Sequence, residues 1–293
     1  MSEHVLVDDT VGTFTIGGDL KVRRLGFGAM RISGARNAGG ARDRDAARDL
    51  VRRVVDRGVN FIDTANIYGY GESEEIIAEA LHPYPADLVI TTKAGYRPGK
   101  VMNGHITLPP YGHPDHIKAE CDKSLKRLRV DVIDLYQVHA PDPTLPYDET
   151  IGAFVELQRA GKIRHIGLSN VNAYQLDFAQ KLCTVASVEN RYNAGDRDSD
   201  DVLNACRDQE IAFLPWAPIL LPHRRISVVM ETIAHTHGVS VQQIALQWLL
   251  HRAPNVIPIP GTSQIVHADD NIDAAWIPLN EHDIHMIDKA AGA

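Results

Sequence analysis

The sequence is poor in cysteine and lacks long apolar runs. Its 293 residues include only 3 cysteines, and no two of them form a Cys-x-x-Cys pair. This count argues against a disulfide framework and favours a reducing compartment. No apolar run approaches the roughly 20 residues that cross a bilayer, and the polar, acidic residues 1–9 lack the apolar core of a signal peptide. We therefore expect a cytoplasmic protein with no membrane partner.

Positive charge is also scarce. The chain has 38 Asp and Glu against 30 Lys and Arg, which gives a formal net charge of −8. This balance does not favour binding to nucleic acid or to anionic lipid. The basic residues between 118 and 129 alternate with apolar ones at helical spacing, so they are expected to be the exposed face of a helix. No nucleic-acid partner is predicted.

Histidine is abundant, with 14 residues, but its pattern does not indicate a metal site. Three pairs have spacings that occur in metal sites: His113 and His116, His235 and His237, and His282 and His285. None of the pairs has a nearby cysteine or a second matching cluster, whereas a zinc site takes three or four protein ligands. We expect no metal.

Short apolar runs alternate with longer amphipathic stretches along the chain. Eight runs favour β-strand: Leu25 to Ala29, Val59 to Asp63, Leu88 to Lys93, Val132 to His139, Arg164 to Ser169, Thr184 to Asn190, Ile211 to Pro215 and Val256 to Pro258. Repeated β-α units predict a parallel sheet, and eight of them suit a closed (β/α)8 barrel, the TIM barrel. Barrels of this kind reach 293 residues as one unit, so residues 1–293 are expected to form a single domain.

A doubly wound sheet is the alternative architecture. It normally has a Gly-rich phosphate-binding turn after its first strand, and no Gly-x-Gly-x-x-Gly occurs in the chain. This absence favours the barrel. Thr13 to Arg23, with Gly17-Gly18 at its centre, predicts an N-terminal β-hairpin that could plug the bottom of the barrel. A helix is expected over Ser73 to Leu81, with Ser73 as its N-cap.

Ionisable side chains stand at or near the ends of three successive predicted strands. Asp63 ends the second run and leads to Tyr68, Lys93 ends the third, and His139 ends the fourth. In a barrel these ends are neighbours on the rim where active sites lie. Asp and Lys are rarely buried without a partner, and four such residues together are hard to explain as packing. We expect them to converge on one mouth.

These four residue types can form an acid–base device. A tyrosine with a pKa near 10 is a poor acid at neutral pH, and the Lys93 ammonium is expected to lower that pKa. Asp63 can hold Lys93 in place. A neutral His139 can orient a substrate carbonyl while Tyr68 donates its proton to the developing oxyanion.

The motifs around these residues resemble the aldo-keto reductase superfamily. They are Asp63-Thr64-Ala65-x-x-Tyr68-Gly69, Thr92-Lys93, Gln137-Val138-His139, Gly161-Lys162-Ile163-Arg164-x-Ile166-Gly167-Leu168-Ser169-Asn170 and Ile259-Pro260-Gly261-Thr262-Ser263. The resemblance runs from Leu25 to about Asn271. It implies an oxidoreductase that reduces an aldehyde or ketone with hydride from nicotinamide C4, with Asp63, Tyr68, Lys93 and His139 as its catalytic tetrad. Residues 26–31 and 189–193 are faintly similar to the branch that reduces pyridoxal.

The resemblance also implies where the nicotinamide binds. Ser169 and Asn170 match the pair that contacts its carboxamide, and Trp216 stands where an aromatic ring stacks on it. The third carboxamide partner is usually Gln, but the matching residue here is Glu189, which cannot donate a hydrogen bond unless it is protonated. Either Glu189 is protonated, or its contact differs, or Asn190 takes the role.

The rest of the cofactor is expected after the eighth strand. By resemblance, Gly261, Thr262, Ser263 and His267 match the phosphate site, and Asp270 and Asn271 match residues that contact the adenine. Residues 261–271 contain no Lys or Arg, although a 2′-phosphate is usually held by one. NADP is the expected cofactor, and NAD is a second option.

Two other functions remain open at this point. The fold also occurs in cofactor-binding regulatory subunits with little turnover, and an unrelated barrel could be a phosphate-handling isomerase that binds no nicotinamide. The intact tetrad favours an enzyme. Its partner is expected to be a small carbonyl compound, and a monomer is the simplest oligomeric state.

Overall fold

The structure is a computed structural model, and it describes residues 5–33, 43–102, 105–221 and 224–292. Its strands are β1 (Thr13–Ile16), β2 (Leu20–Arg23), β3 (Phe27–Gly28), β4 (Phe61–Asp63), β5 (Val89–Ala94), β6 (Val101–Met102), β7 (His105–Ile106), β8 (Ile133–Val138), β9 (Ile163–Ser169), β10 (Val185–Arg191) and β11 (Ala212–Trp216). Its α-helices are α1 (Asp8–Val11), α2 (Arg44–Asp56), α3 (Glu72–Leu81), α4 (Pro114–Leu128), α5 (Tyr147–Arg159), α6 (Ala173–Gln180), α7 (Asp200–Asp208), α8 (Arg224–His237), α9 (Val241–Arg252), α10 (Ile265–Asp273) and α11 (Glu281–Ala291).

Seven strands form one curled parallel sheet. Their spatial order is β11-β10-β9-β8-β5-β4-β3, which is the order of the chain apart from the small antiparallel pair β6-β7. Parallel neighbours need a crossover between them, and a helix supplies it between most consecutive strands of this sheet. The carboxyl ends of all seven strands therefore lie along the same edge.

The eighth predicted run contacts both outer strands of this sheet. Ile257 N donates to Phe213 O of β11 at 2.9 Å, and on the other side Gly26 N and Gly28 N donate to Pro258 O and Pro260 O at 2.9 and 3.1 Å. The run makes an isolated parallel bridge to Phe213 instead of a strand. Pro258, at the end of the run, and Pro260, just after it, explain this, because a proline has no N–H to donate to a ladder.

The N-terminal segment pairs as an antiparallel hairpin that covers the amino ends of the strands. Thr13 pairs with Arg23 and Ile16 with Leu20, and Gly17 and Gly18 form the turn with φ of 62° and 86°. The apolar side chains of the hairpin pack into the interior of the curled sheet. Asp19 accepts hydrogen bonds from the side chains of residues 164 and 165 in the first half of β9. The edge formed by the carboxyl ends of the strands is therefore opposite the hairpin.

The helices pack their apolar faces on the outside of the sheet. For α2 the apolar spacing predicts one inward face, made of Ala46, Ala47, Leu50, Val51, Val54 and Val55. Four of these residues are buried, whereas Ala46 is exposed and Val55 is half-buried. The predicted N-cap of α3 is wrong. The helix begins at Glu72 after Gly71, and Ser73 lies inside it, where its Oγ donates to Ala29 O at 3.0 Å.

The loops 30–42, 95–112 and 218–223 are those that the sequence predicts to determine the substrate. Parts of them, namely residues 34–42, 103–104 and 222–223, lie outside the described residues. Across the segments that the structure describes, no helix has the length and apolar character to span a membrane.

Candidate active site

The four predicted catalytic residues come together at the carboxyl edge of the sheet. Asp63 is the last residue of β4, Lys93 is the penultimate residue of β5, and His139 directly follows β8. Tyr68 begins a short 3-10 turn, Tyr68–Gly71, that follows β4. Because β4, β5 and β8 are adjacent in the sheet, their ends place these side chains beside one another.

Lys93 is at the centre of the cluster and is completely buried. Its Nζ donates to both carboxylate oxygens of Asp63 at 2.7 Å and to Thr64 O at 3.0 Å. The side chains of Lys93 and Asp63 are 0% and 3% exposed. A charged pair this deeply buried needs close contact to offset its loss of hydration, and these three contacts fix the position of the ammonium.

Tyr68 and His139 lie next to this ion pair. The Tyr68 hydroxyl is 3.5 Å from Lys93 Nζ, and the tyrosine and histidine rings meet edge to face with their centroids 5.9 Å apart. On its other side, His139 packs against Tyr96 with ring centroids 4.6 Å apart. The phenol is therefore close to both a cation and an imidazole.

The pKa values of Lys93 and Asp63 depend on both burial and the neighbouring charges. Burial would lower the pKa of Lys93, but Asp63 and Glu189 raise it by more, so the ammonium form is stabilised. Burial raises the pKa of Asp63, and Glu189 raises it further, while Lys93 acts in the opposite direction. The lysine is thus held as a cation by two acidic side chains.

The pKa of Tyr68 departs from the sequence-based expectation. Lys93 does favour the phenolate, as predicted, but burial and the carboxylates of Asp63 and Glu189 outweigh it and raise the pKa above its usual value. The expected lowering is therefore wrong for the protein alone. Tyr68 is protonated at neutral pH and is able to donate.

His139 has the opposite shift. Burial and the nearby Lys93 ammonium lower its pKa well below the usual range. The imidazole is therefore neutral at neutral pH. Its Nδ1 is buried and has no hydrogen-bond partner, so this ring nitrogen is still able to form a hydrogen bond inside the site.

Glu189 joins the cluster from β10. Its carboxylate lies 3.2 Å from Lys93 Nζ and accepts a hydrogen bond from Gln137 Nε2 at 2.8 Å. Gln137 Oε1 in turn accepts from Ser187 Oγ at 2.9 Å. Sequence reasoning gave Gln137 no role, although its position two residues before His139 places it on the same face of a strand.

Asn190, the alternative to Glu189, has a different environment. Its side chain accepts from Val171 N at 3.0 Å and donates to Val171 O and to Ser199 Oγ. These contacts tie β10 to the loop after β9. Glu189, not Asn190, therefore faces Lys93.

Asn170 connects the residues predicted to contact the nicotinamide. It has a positive φ of 58°, and its Nδ2 donates to His139 O at 2.9 Å and to Ser169 Oγ at 3.0 Å. Its Oδ1 accepts from Trp216 Nε1 at 3.0 Å. The Trp216 ring is partly exposed and has Arg191 5.8 Å from its centroid. Ser169, Asn170 and Trp216 thus form one hydrogen-bonded unit beside His139.

The predicted phosphate segment leads into helix α10. Its N-cap residue, Gln264, makes no side-chain cap hydrogen bond, while Gln264 N donates to Thr262 Oγ1 at 3.1 Å. An uncapped helix N-terminus suits an anion. Gly261 packs its backbone against Gly28, since a Cβ on Gly261 would lie 2.6 Å from Gly28 O. Ser263 is half-buried and His267 is exposed.

The two predicted adenine residues differ in their surroundings. Asp270 accepts from Ser240 Oγ at 2.8 Å and so links α10 to the start of α9. Asn271 is buried. The nearby cations Arg53 and Arg57 pair with Asp269 at 2.9 and 2.6 Å, so they balance charge within the fold.

A metal centre has no support in the part of the chain that the structure describes, where no group of three or more His, Cys, Asp or Glu could hold an ion. The chemistry available at this edge is that of a buried Lys–carboxylate cluster, a phenol and a neutral imidazole. This set can donate a proton and a hydrogen bond to one oxygen atom.

Comparison with known proteins agrees with this geometry. A family model described as "Aldo/keto reductase family" matches residues 24–291. Pyridoxine 4-dehydrogenase of Escherichia coli is 36% identical over 282 residues, which cover 94% of this chain and 97% of that protein. An NADP(+) aldo-keto reductase of Schizosaccharomyces pombe is 27% identical over 318 residues, covering 96% and 92%. The crystal structure of a thermostable aldo-keto reductase superimposes with a TM-score of 0.83 at 30% identity and covers 95% of this chain and 99% of that one.

Proposed function

We propose that this chain, which belongs to the aldo/keto reductase family, reduces an aldehyde or ketone to the alcohol with NADPH and catalyses the reverse oxidation. We further propose that residues 1–293 act as one (β/α)8 barrel domain, as a cytoplasmic monomer. The contacts of residues 257–260 with both outer strands of the sheet support closure of that barrel.

The cluster around Lys93 carries this proposal. The Tyr68 hydroxyl lies 3.5 Å from an ammonium that two carboxylates hold in place. When negative charge develops on a carbonyl oxygen, Tyr68 donates its proton and the nearby Lys93 stabilises the phenolate that remains. His139, which is neutral, donates a hydrogen bond to the same oxygen. In the reverse direction the phenolate accepts the proton of the alcohol.

The residues present fit a nicotinamide cofactor. The unit of Ser169, Asn170 and Trp216 offers a hydroxyl, an amide and a partly exposed ring beside His139. The N-terminus of α10 has no side-chain cap and suits a phosphate. When bound, the nicotinamide supplies or accepts the hydride. The side chains of this protein position the carbonyl and move the proton.

NADP is the cofactor that we propose, because a relative at 27% identity is named for NADP(+). Residues 261–271 contain no Lys or Arg to bind the 2′-phosphate. The only basic candidate in that stretch is the exposed His267, which holds a phosphate less firmly than a bidentate Arg. We therefore expect NADH to be used as well, with a modest preference for NADPH.

Pyridoxal and pyridoxine are the first substrate pair to test. The relative at 36% identity is named pyridoxine 4-dehydrogenase. In this chain Tyr96 packs edge-on against His139 with centroids 4.6 Å apart, and Arg97 lies 3.7 Å from the ring centroid of Tyr111. Aromatic side chains beside the imidazole suit a planar substrate, since ring pairs prefer such contacts.

Tyr68→Phe tests the proposed function, because it removes only the phenolic oxygen. We expect the variant to bind NADPH as the native protein does and to lose turnover by roughly 10²-fold or more, the scale of a general acid. Steady-state kinetics with pyridoxal and with small aldehydes measure turnover, and fluorescence titration measures binding.

Tyr70→Phe is the matched control, because Tyr70 is two residues away and 47% exposed. It should keep full turnover. Unchanged turnover in Tyr68→Phe would refute the proton-donor role. A native protein that binds NADPH but does not consume it with any carbonyl would instead favour a regulatory, cofactor-binding module.

A further inference from the structure

Lys93 has two anionic partners, where the predicted tetrad supplies one. Asp63 contacts its Nζ at 2.7 Å and Glu189 at 3.2 Å, and the three side chains are 0%, 3% and 4% exposed. Each buried charge loses its hydration, so a second carboxylate beside one ammonium is costly unless it is stabilised. Its presence needs a reason beyond holding the lysine, since Asp63 and Thr64 O already fix Nζ.

The surroundings of Glu189 are arranged to hold an acceptor. Gln137 Nε2 donates to it at 2.8 Å, and the Ser187 hydroxyl, which donates to Gln137 Oε1, fixes which end of that amide faces Glu189. Both groups approach the same carboxylate oxygen, Oε2: Gln137 donates a hydrogen bond to it, and the Lys93 ammonium forms an ion pair with it. A buried ammonium at this distance favours the charged form of a carboxyl group.

The position of Glu189 in the sheet places it next to the proposed cofactor site. In register, it pairs with Ser169 on one side and with Leu214 of β11 on the other. The groups that face it are Lys93 from β5, Asp63 from β4, Gln137 from β8 and the hydroxyl of Tyr68, with His139 close by. Among these, the histidine is neutral and the lysine is the one cation.

We propose that Glu189 is a charged positioning residue that acts through Lys93 and makes the buried cluster net negative. The extra negative charge makes Tyr68 hold its proton more tightly. It also makes the site favour the cationic, oxidised nicotinamide over the neutral, reduced one. This inference rests on the proposed function. The Lys93 ammonium contacts both carboxylates and opposes the rise in the pKa of Asp63 that burial and Glu189 cause. With both carboxylates ionised, one ammonium, a neutral phenol and a neutral imidazole leave one negative charge in excess. That charge opposes formation of the phenolate and attracts the ring that carries positive charge.

Glu189→Gln is the direct test. It keeps the length of the side chain, still accepts from Gln137, and restores the residue type that the family resemblance leads one to expect, so we expect it to fold. In alcohol oxidation Tyr68 acts as the base, and the rising limb of kcat/KM against pH reports its deprotonation. We expect that limb to move to lower pH by about one unit when the carboxylate is removed.

A binding measurement gives a second readout that does not depend on turnover. Dissociation constants for NADP(+) and NADPH are measured by fluorescence titration on the native protein and on Glu189→Gln. We expect the ratio of the NADP(+) constant to the NADPH constant to rise by roughly 3- to 10-fold in the variant, the size of one unit charge acting across a partly buried site.

Glu79→Gln is the matched control. It makes the same change in side chain and in net charge, and it removes ion pairs that link α3 to Arg44 and Arg48 of α2. Both readouts should stay at the native values. A conservative variant, Glu189→Asp, keeps the charge. Its departure from the native value should be at most half that of Glu189→Gln in each readout.

Two results would overturn the proposal. One is a Glu189→Gln variant with the native pH profile and the native ratio of constants, which would mean that Glu189 does not act on Tyr68 or on the cofactor through its charge. The other is equal weakening of both cofactors, which would mean a purely structural contact. If Glu189→Gln did not fold, Glu189→Asp would still have to shift both readouts slightly in the same directions. A failure of Tyr68→Phe to lose turnover would instead refute the proposed function itself.

Discussion

Replacing Lys93 by methionine probes the whole cluster, because methionine has a similar length and no charge. In the native protein Nζ contacts both oxygens of Asp63 and one of Glu189, and all three side chains are nearly inaccessible to solvent. Removing one partner of a buried ion pair typically costs about 3–5 kcal/mol, because the remaining charge is left without compensation. Here two carboxylates lose their cation, so we expect Lys93→Met to lower the free energy of unfolding by about 4 kcal/mol or more at pH 8.

The loss should depend on pH in a defined direction. Burial and Glu189 already raise the pKa of Asp63 in the native protein, and the variant lacks Lys93, which lowers it. A carboxyl whose pKa is higher in the folded than in the unfolded state destabilises the fold as pH rises above its unfolded value, near 4. The difference in unfolding free energy between native protein and variant should therefore be smallest near pH 4–5 and grow towards pH 8.

Urea unfolding at several pH values, followed by circular dichroism, measures this difference. Lys181→Met, which removes an exposed helix pair with Asp177, is the control and should have little effect at any pH. The double variant Asp63→Asn with Lys93→Met should lose less stability than the sum of the two single changes, because the two residues interact directly. A cost below about 1 kcal/mol at pH 8, or a cost that does not change with pH, would show that the carboxylates are not charged in the folded protein.

Two further predictions concern the cofactor segment and a helix end. His267→Arg places a guanidinium at the exposed start of α10, so NADPH should bind several-fold more tightly while the affinity for NADH is unchanged. Fluorescence titrations measure both affinities, and an equal increase for the two cofactors would place the 2′-phosphate elsewhere. At the start of α11, Asn280 forms a capping box and accepts from Asp283 N at 3.0 Å. Asn280→Ala removes it and should lower the free energy of unfolding by about 1 kcal/mol without changing turnover. A change in turnover would link this helix to the site.

The repeating units of the fold could be predicted from local patterns. The buried face of α2 follows from apolar residues at helical spacing, and β4, β5 and β8 follow from apolar runs that end in polar residues. Because parallel strands share one edge, these ends also predicted that Asp63, Lys93 and His139 would meet. The apolar character of the eighth run was predicted, but Pro258 and Pro260 keep it from forming a full strand. It makes only a bridge and a few hydrogen bonds with the two outer strands of the sheet.

The energetics of the site could not be predicted in the same way. Glu189 and Lys93 are 96 positions apart in the chain, and no local pattern shows that their side chains touch. The sign of the shift in Tyr68 depends on how burial compares with three neighbouring charges, which only coordinates provide. Ser73 fails as an N-cap for a related reason, since tertiary contacts with Thr64 and Ala29 use its hydroxyl.

The hairpin over the amino ends of the strands has a consequence for traffic. Residues 13–23 cover one end of the described sheet interior, so we expect cofactor and substrate to reach the Lys93 cluster from the opposite end. If both use that opening, the molecule bound more deeply has to bind first and dissociate last, which product-inhibition kinetics would show.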